Sequence, residues 1–136
     1  MRFRFICEYV EDGEKRPVSK WLDKNMTVKV RAKLHARFNQ IEGNETENGS
    51  WLKPYVSLKM WEIVFNQDGV AYRFLCERIK TNVIMVLATS KNGQITKEEE
   101  ARAVARRAAI KEFGDACVRV YPLPERPSED LDPVYR

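Results

Sequence analysis

The stretch LKMWEIVFNQDGVAYRFLCERI, residues 58–79, consists of two alternating segments on either side of Asp68-Gly69. Asp-Gly between such segments is typical of a two-residue type I′ hairpin turn. A three-residue loop would mix apolar and polar side chains on each face, because strand side chains alternate with a period of two. The two-residue turn instead puts three apolar pairs on one face: Phe65 with Tyr72, Ile63 with Phe74, and Trp61 with Cys76.

The same register places Arg73 on the opposite face of the hairpin, although its neighbours in the sequence are apolar. It lies directly across from Val64 and diagonal to Glu62. Three interpretations of this arginine stay open: an ion pair with Glu62, a solvated face, or a position aimed at a phosphate group.

Three elements are predicted before the hairpin. Residues 2–10 alternate, which predicts a half-buried strand with Glu8 on its outer face. Pro17 suits a first helical position, so residues 17–25 form a short helix. A second helix over residues 27–41 buries an apolar stripe: Val30, Leu34, Phe38 and Ile41. A basic stripe beside it is either a solvated face or a surface for RNA or an acidic protein: Lys29, Lys33 and Arg37.

After the hairpin, residues 82–90 are apolar on both faces, which is typical of a central strand. Thr96 opens a capping box, so a helix runs over residues 97–113 and ends at Gly114. Its small residues are expected to face the sheet: Ala101, Val104, Ala105 and Ala108. Residues 117–121 are a candidate for one more strand. The element order predicts an α+β fold, a small antiparallel (mixed) sheet of about four or five strands with two N-terminal helices and one C-terminal helix.

Composition predicts one domain over residues 1–121, followed by a proline-rich acidic tail, extended or disordered, over residues 122–136. The chain has 136 residues and a net charge of +4, and the tail holds four acidic and two basic residues. The body is therefore basic (24 − 2 = 22 basic against 20 − 4 = 16 acidic residues), which favours polyanionic partners.

No apolar run reaches the length of a membrane span, and the N-terminus lacks the apolar core of a signal peptide. We expect a cytoplasmic protein without membrane association. The three cysteines, Cys7, Cys76 and Cys117, are far apart and odd in number. We therefore expect buried free thiols, without a disulfide framework or a zinc site.

Four segments follow one another in a distinctive order: MWEIVF at residues 60–65, AYRFL at 71–75, LATSKN at 87–92, and Thr96-Lys97 followed by Glu100 and Arg107. Over roughly residues 3–114 the chain resembles the RelE/HigB-type toxins of type II toxin–antitoxin modules, and most closely the phage-related branch of the RelE/ParE superfamily. The resemblance implies a RelE-like fold and a metal-independent, cofactor-free endoribonuclease (mRNA interferase) that cleaves mRNA, in association with the ribosome. It also implies a cognate antitoxin protein that holds the toxin inactive.

In the cleavage that the resemblance implies, the 2′-hydroxyl of the RNA attacks the adjacent phosphate. Arg73 would clamp that phosphate, because its guanidinium is planar and permanently charged. Lys59 would be the base or an electrostatic partner, and Lys91 a second phosphate contact or the acid. The remaining positions have supporting roles: Glu62 to orient Arg73, Tyr121 as a C-terminal aromatic, and Lys53 and Asn92 as RNA contacts.

Three positions depart from the polar residues of these toxins. Val64 stands where relatives have arginine, Leu87 where they have histidine, and Asn92 where they have a second lysine. An alternative is therefore a non-catalytic RelE/ParE-fold protein with a degenerate active site, either a phage or mobile-element protein or a poison that binds another protein. A third reading is an RNA-binding module without chemistry.

Overall fold

The structure is a computed structural model that describes residues 5–12, 14–43, 52–79 and 83–123. Most of the tail expected over residues 122–136, from residue 124 onward, lies outside the described residues. The elements, in chain order, are β1 (Phe5–Tyr9), α1 (Pro17–Asn25), α2 (Val28–Gly43), β2 (Leu52–Tyr55), β3 (Met60–Gln67), β4 (Val70–Ile79), β5 (Val83–Lys91), α3 (Lys97–Phe113) and β6 (Val118–Val120). Two short 3₁₀ turns cover Val56–Leu58 and Gly114–Cys117.

The hairpin of β3 and β4 has the predicted register. Val64 is paired with Arg73, and the three apolar pairs on the other face are as expected. Asp68 and Gly69 have φ angles of 54° and 78°, both positive as a type I′ turn requires. The local pattern of residues 58–79 was therefore sufficient to fix this part of the sheet.

The α+β class is confirmed, but the strand count was too low. The described residues form one six-stranded mixed sheet in the order β2-β3-β4-β5-β1-β6, in which β1 runs parallel to β5 and antiparallel to β6. Strand β2 was missed because Pro54 lies within it. Proline cannot donate a hydrogen bond to a neighbouring strand, and it is tolerated here because β2 is at the edge of the sheet.

Helices cover both faces of the sheet and create two cores. The first core lies under α1 and α2, where Leu22, Leu34, Phe38 and Ile41 are almost fully buried. The second core lies under α3, where Met60, Leu75, Leu87 and Ile110 are buried. The aromatic face of the hairpin belongs to the first core, so Arg73 and Glu62 are on the side of α3.

The prediction for β1 was wrong about exposure. Residues 6–10 are all buried, Ile6 in the first core and Cys7 and Tyr9 in the second. The reason is the position of β1 between β5 and β6, with helices above and below. Glu8, expected at the surface, is completely buried and is held by Ser19 and Arg16.

The prediction for the buried face of α3 was also wrong. The expected face of Ala101, Val104, Ala105 and Ala108 is exposed, whereas Ala103 and Ile110 are buried. Arg106 and Arg107 lie at the border of the buried face, and each donates a hydrogen bond to a main-chain oxygen, of Leu87 (2.6 Å) and of Leu58 (2.7 Å). The apolar stems of these arginines cover the second core, a contribution that a search for apolar residues overlooks.

The three cysteines are buried free thiols, as predicted. Burial raises the pKa of Cys76 and of Cys117, so both thiols stay protonated. Among the described residues, no helix combines the length and the apolar character needed to cross a membrane.

Candidate active site

Arg73 is fixed at two points on the α3 side of the sheet. Its Nε donates to the main-chain oxygen of Gly93 at 2.8 Å, and its Nη1 lies 3.3 Å from Oε2 of Glu62. Gly93 follows β5, and its φ of 65° turns the chain back towards β4. Within the described part of the chain, Nη2 of Arg73 has no hydrogen-bond partner. The guanidinium is thus held in place while one terminal nitrogen remains available to a ligand.

A cavity of about 390 Å³ opens beside this guanidinium. One part of its wall is apolar and comes from β2, the first 3₁₀ turn and the segment before α3: Pro54, Tyr55, Val56 and Ile95. The other part is polar: Ser57, Glu62, Arg73 and Gln94. We call this space the Arg73 cavity. It can accommodate a small ligand that has an anionic group and an apolar, planar part.

Tyr55 is held in the cavity wall by α3. Its hydroxyl donates to Oε2 of Glu100 at 2.8 Å, and Glu100 lies in the first turn of the helix that Thr96 caps. Burial and the hydrogen bond to Glu100 raise the pKa of Tyr55 to about 12. The phenol is therefore neutral at physiological pH, so it is a hydrogen-bond donor and an aromatic surface rather than a base.

The two lysines expected to join Arg73 do not line the cavity. Lys59 is exposed, follows the first 3₁₀ turn and has a left-handed conformation with φ of 55°. Lys91 is paired with Tyr72, a residue of the first core. Paired residues on neighbouring strands share a face, so Lys91 projects from the side opposite Arg73. Asn92 follows it at the exposed strand end, and its main-chain NH donates to the oxygen of Ala71 at 2.8 Å.

The positions of Lys53 and Tyr121 reverse the order of importance that the sequence suggested for them as site residues. Lys53 is exposed and paired with Glu62, so it shares the face of Arg73. Tyr121 is only 1% exposed and belongs to the first core, where its hydroxyl lies 2.7 Å from Nε2 of His35. The structure therefore brings Lys53 to the border of the site and does not bring Tyr121 to the cavity.

Two of the positions that depart from the toxin pattern carry apolar residues, one buried and one half-buried. Leu87 is fully buried in the second core beneath α3. Val64 is half-buried directly across from Arg73. The Arg73 cavity consequently has one arginine and one paired carboxylate, and no second cation lines it among the described residues.

The sequence interpretation missed Tyr55, Gln94 and Glu100 as site residues. Tyr55 lies opposite Met60 in the pairing of β2 with β3, so recognition of β2 would have placed it on the Arg73 side. Glu100 comes near it only because α3 packs across the sheet. In the described residues, no three or more His, Cys, Asp or Glu side chains are grouped so that they could hold a metal ion.

A family model described as "Phage derived protein Gp49-like (DUF891)" matches residues 20–109. The matched region includes the whole hairpin and every residue that lines the Arg73 cavity. No curated protein and no solved structure matches the chain with significant similarity.

Proposed function

The chain belongs to the phage-derived Gp49-like family, which confirms the phage-related part of the resemblance, and on this premise we propose that it is the toxin of a toxin–antitoxin module. The proposed activity is that of a RelE/HigB-type endoribonuclease that cleaves mRNA on the ribosome without a metal ion. A cognate antitoxin would hold it inactive in the cytoplasm.

The observation that carries this proposal is the two-point fixation of Arg73 beside the cavity. Negative charge increases on the phosphate as the 2′-oxygen attacks, and a cation that is already in position stabilises this charge without reorganisation. The hydrogen bond to Gly93 and the ion pair with Glu62 hold the guanidinium in one orientation. Its free edge can then donate to a phosphate oxygen.

In the proposed reaction the 2′-hydroxyl loses its proton, and its oxygen forms a bond to the adjacent phosphorus. The bond from phosphorus to the 5′-oxygen breaks, and that oxygen takes up a proton. The products are a cyclic phosphate and a free 5′-hydroxyl. Lys59 and Lys91 stay candidates for proton transfer. Because both lie outside the cavity, the chain would have to rearrange, alone or on the ribosome, to bring them close to a phosphate bound at Arg73.

The test is induced expression of wild type, Arg73→Ala and Arg73→Lys, with growth and mRNA cleavage sites measured together. We expect wild type to arrest growth and cut mRNA. Arg73→Ala should lower the cleavage rate by at least about a hundredfold, because it removes the fixed cation. Arg73→Lys should recover little, since lysine cannot keep both the Gly93 and the Glu62 contacts while it binds phosphate.

Arg102→Ala is the matched control. Arg102 forms an ion pair with Glu99 on the exposed side of α3, away from the cavity, so its loss should leave cleavage unchanged. Equal cleavage by wild type and Arg73→Ala would remove Arg73 from the mechanism. Absence of both growth arrest and cleavage in wild type would overturn the toxin proposal.

A second candidate is a non-catalytic RelE/ParE-fold protein that binds another protein. The observation in its favour is the single cation of the cavity, because Val64 and Leu87 occupy positions where relatives have an arginine and a histidine. Growth arrest without mRNA cleavage, and equal arrest by Arg73→Ala, would support this candidate over the ribonuclease.

A further inference from the structure

Tyr55 lines the Arg73 cavity but has no role in the chemistry proposed at Arg73. Tyr55 is half-buried: it packs against the second core and also lines the Arg73 cavity. Tyr121, the aromatic that the sequence suggested, is enclosed in the first core and belongs to the other side of the sheet. Tyr55 is consequently the only aromatic residue that lines this cavity among the described residues.

The composition of the cavity wall suits both parts of a nucleotide, the anionic phosphate and the largely apolar base. Arg73 can bind a phosphate, and Pro54, Tyr55, Val56 and Ile95 provide apolar surface in the same cavity. Val56 is 81% exposed, an unusual amount for a valine, at the rim of this region. A base that is unstacked from its neighbours presents two apolar faces, and aromatic side chains are the usual surfaces on which proteins receive such bases.

A contact between helix and sheet determines where the ring of Tyr55 lies. The hydrogen bond from its hydroxyl to Glu100 ties the end of the side chain to α3, while Pro54 restricts the backbone before it. A ring tied at both ends keeps its position when the cavity is empty. Because the phenol is neutral, the ring is not needed as a base and can serve as a surface.

Given the proposed RNA cleavage at Arg73, on which this step rests, we propose that Tyr55 seats one unpaired base next to the scissile phosphate and that Glu100 is its positioning residue. The substrate would then be single-stranded RNA with one base turned into the cavity. Tyr55 sets the affinity for that nucleotide and takes no part in proton transfer.

The experiment is a cycle that combines a side-chain change with a base change. Single-turnover cleavage is measured for wild type and Tyr55→Leu, on free RNA and on mRNA bound to ribosomes. Each substrate is prepared with the normal base and with an abasic sugar beside the cleavage site. We expect Tyr55→Leu to slow cleavage of the normal substrate about tenfold, in line with the loss of one stacked base. The abasic substrate should be slow with wild type and no slower with Tyr55→Leu.

Three further variants distinguish the effect of the Tyr55 ring from the effect of its hydrogen bond to Glu100. Tyr55→Phe keeps the ring and should cleave within about threefold of wild type. Glu100→Ala removes the acceptor; it should slow wild type by a few fold and have no effect in the Tyr55→Phe background, because the hydrogen bond is already absent there. Phe113→Leu is the matched control, since Phe113 is 60% exposed at the end of α3, outside the cavity.

The outcomes distinguish this proposal from the one on which it rests. If wild type cleaves neither substrate, the proposed ribonuclease function is wrong, and so is the proposal that Tyr55 binds an unpaired base. If wild type cleaves RNA and the free-energy effects of Tyr55→Leu and the abasic sugar on the cleavage rate are additive, the ribonuclease function stands. Only the proposal that Tyr55 binds the base is then overturned. Thermal unfolding of each variant shows whether a loss of folding accounts for slower cleavage. A folded Tyr55→Leu protein that cleaves the normal substrate as fast as wild type would also overturn the role proposed for Tyr55.

Discussion

Glu8 is a charged residue in a place where burial is costly. It lies on β1 with no exposed surface, and Ser19 and Arg16 donate hydrogen bonds to its carboxylate. Burial raises the pKa of Glu8 above 4.5, and the hydrogen bonds and the charge of Arg16 oppose this effect without cancelling it. The carboxylate therefore ties α1 to β1 at the expense of desolvation.

The stability of the protein should depend on pH through Glu8. Between 4.5 and the raised pKa, the folded state binds more protons than the unfolded state, so the free energy of unfolding decreases as the pH rises through this interval. Glu8→Gln removes this titration. We expect the stability of wild type relative to Glu8→Gln to fall as the pH is increased above 4.5, measured by urea unfolding at several pH values.

Glu98→Gln provides the control, because Glu98 is exposed in the first turn of α3. A difference for Glu8→Gln that stays constant or grows with pH would contradict the assigned direction of the pKa shift.

At the scale of elements, the turn between β3 and β4 shows how two residues determine a whole register. Asp68 and Gly69 both have positive φ, and a Cβ added at Gly69 would meet nothing within 4 Å. The requirement for glycine is therefore conformational and not steric crowding by neighbours.

Gly69→Ala should lower the free energy of unfolding by about 1 kcal/mol, the cost of a left-handed conformation for a residue with a Cβ. Gly69→Asn should cost less, since asparagine adopts this conformation more readily. Chemical unfolding measures both. A loss of several kcal/mol, or a loss that is the same for alanine and asparagine, would show that the turn is held by contacts and not by its backbone conformation.

At the scale of the molecule, one sheet separates two cores and should couple them. Phe38 packs against Phe74 and Tyr121 on the α2 side, whereas Ile110 packs beneath α3 on the other side. The strands that divide the two cores contribute residues to both, so we expect neither core to be lost while the other persists.

Phe38→Ala and Ile110→Ala should each destabilise the whole protein in a single transition. We expect losses of about 3–5 and 2–5 kcal/mol, respectively, from the cavities that these changes leave. Far-UV circular dichroism and tryptophan fluorescence should give the same midpoint for each variant. Midpoints that differ between the two methods would show that the α3 side unfolds independently.

The elements that the sequence predicted well are those whose information is local. Leu34, Phe38 and Ile41 repeat at helical spacing and are buried, and Thr96 accepts the NH of Glu99 as an N-cap should. The elements that it predicted poorly depend on neighbours distant in the chain. Strand β2 was not predicted because Pro54 lies within it. The buried face of α3 was predicted wrongly because it includes the apolar stems of Arg106 and Arg107, and arginine does not count as an apolar residue.

The same distinction between local and long-range information applies to the residues of the candidate site. The alternation of residues 58–79 determined that Arg73 and Glu62 share the face away from the aromatic core, because strand side chains alternate whatever the surroundings. Only the tertiary structure decided which residues join them. Lys91 leaves that face because of its pairing with Tyr72, and Tyr121 lies in the other core. Tyr55 enters the cavity and meets Glu100 because α3 packs across the sheet, and this packing depends on contacts between segments that sequence spacing does not relate.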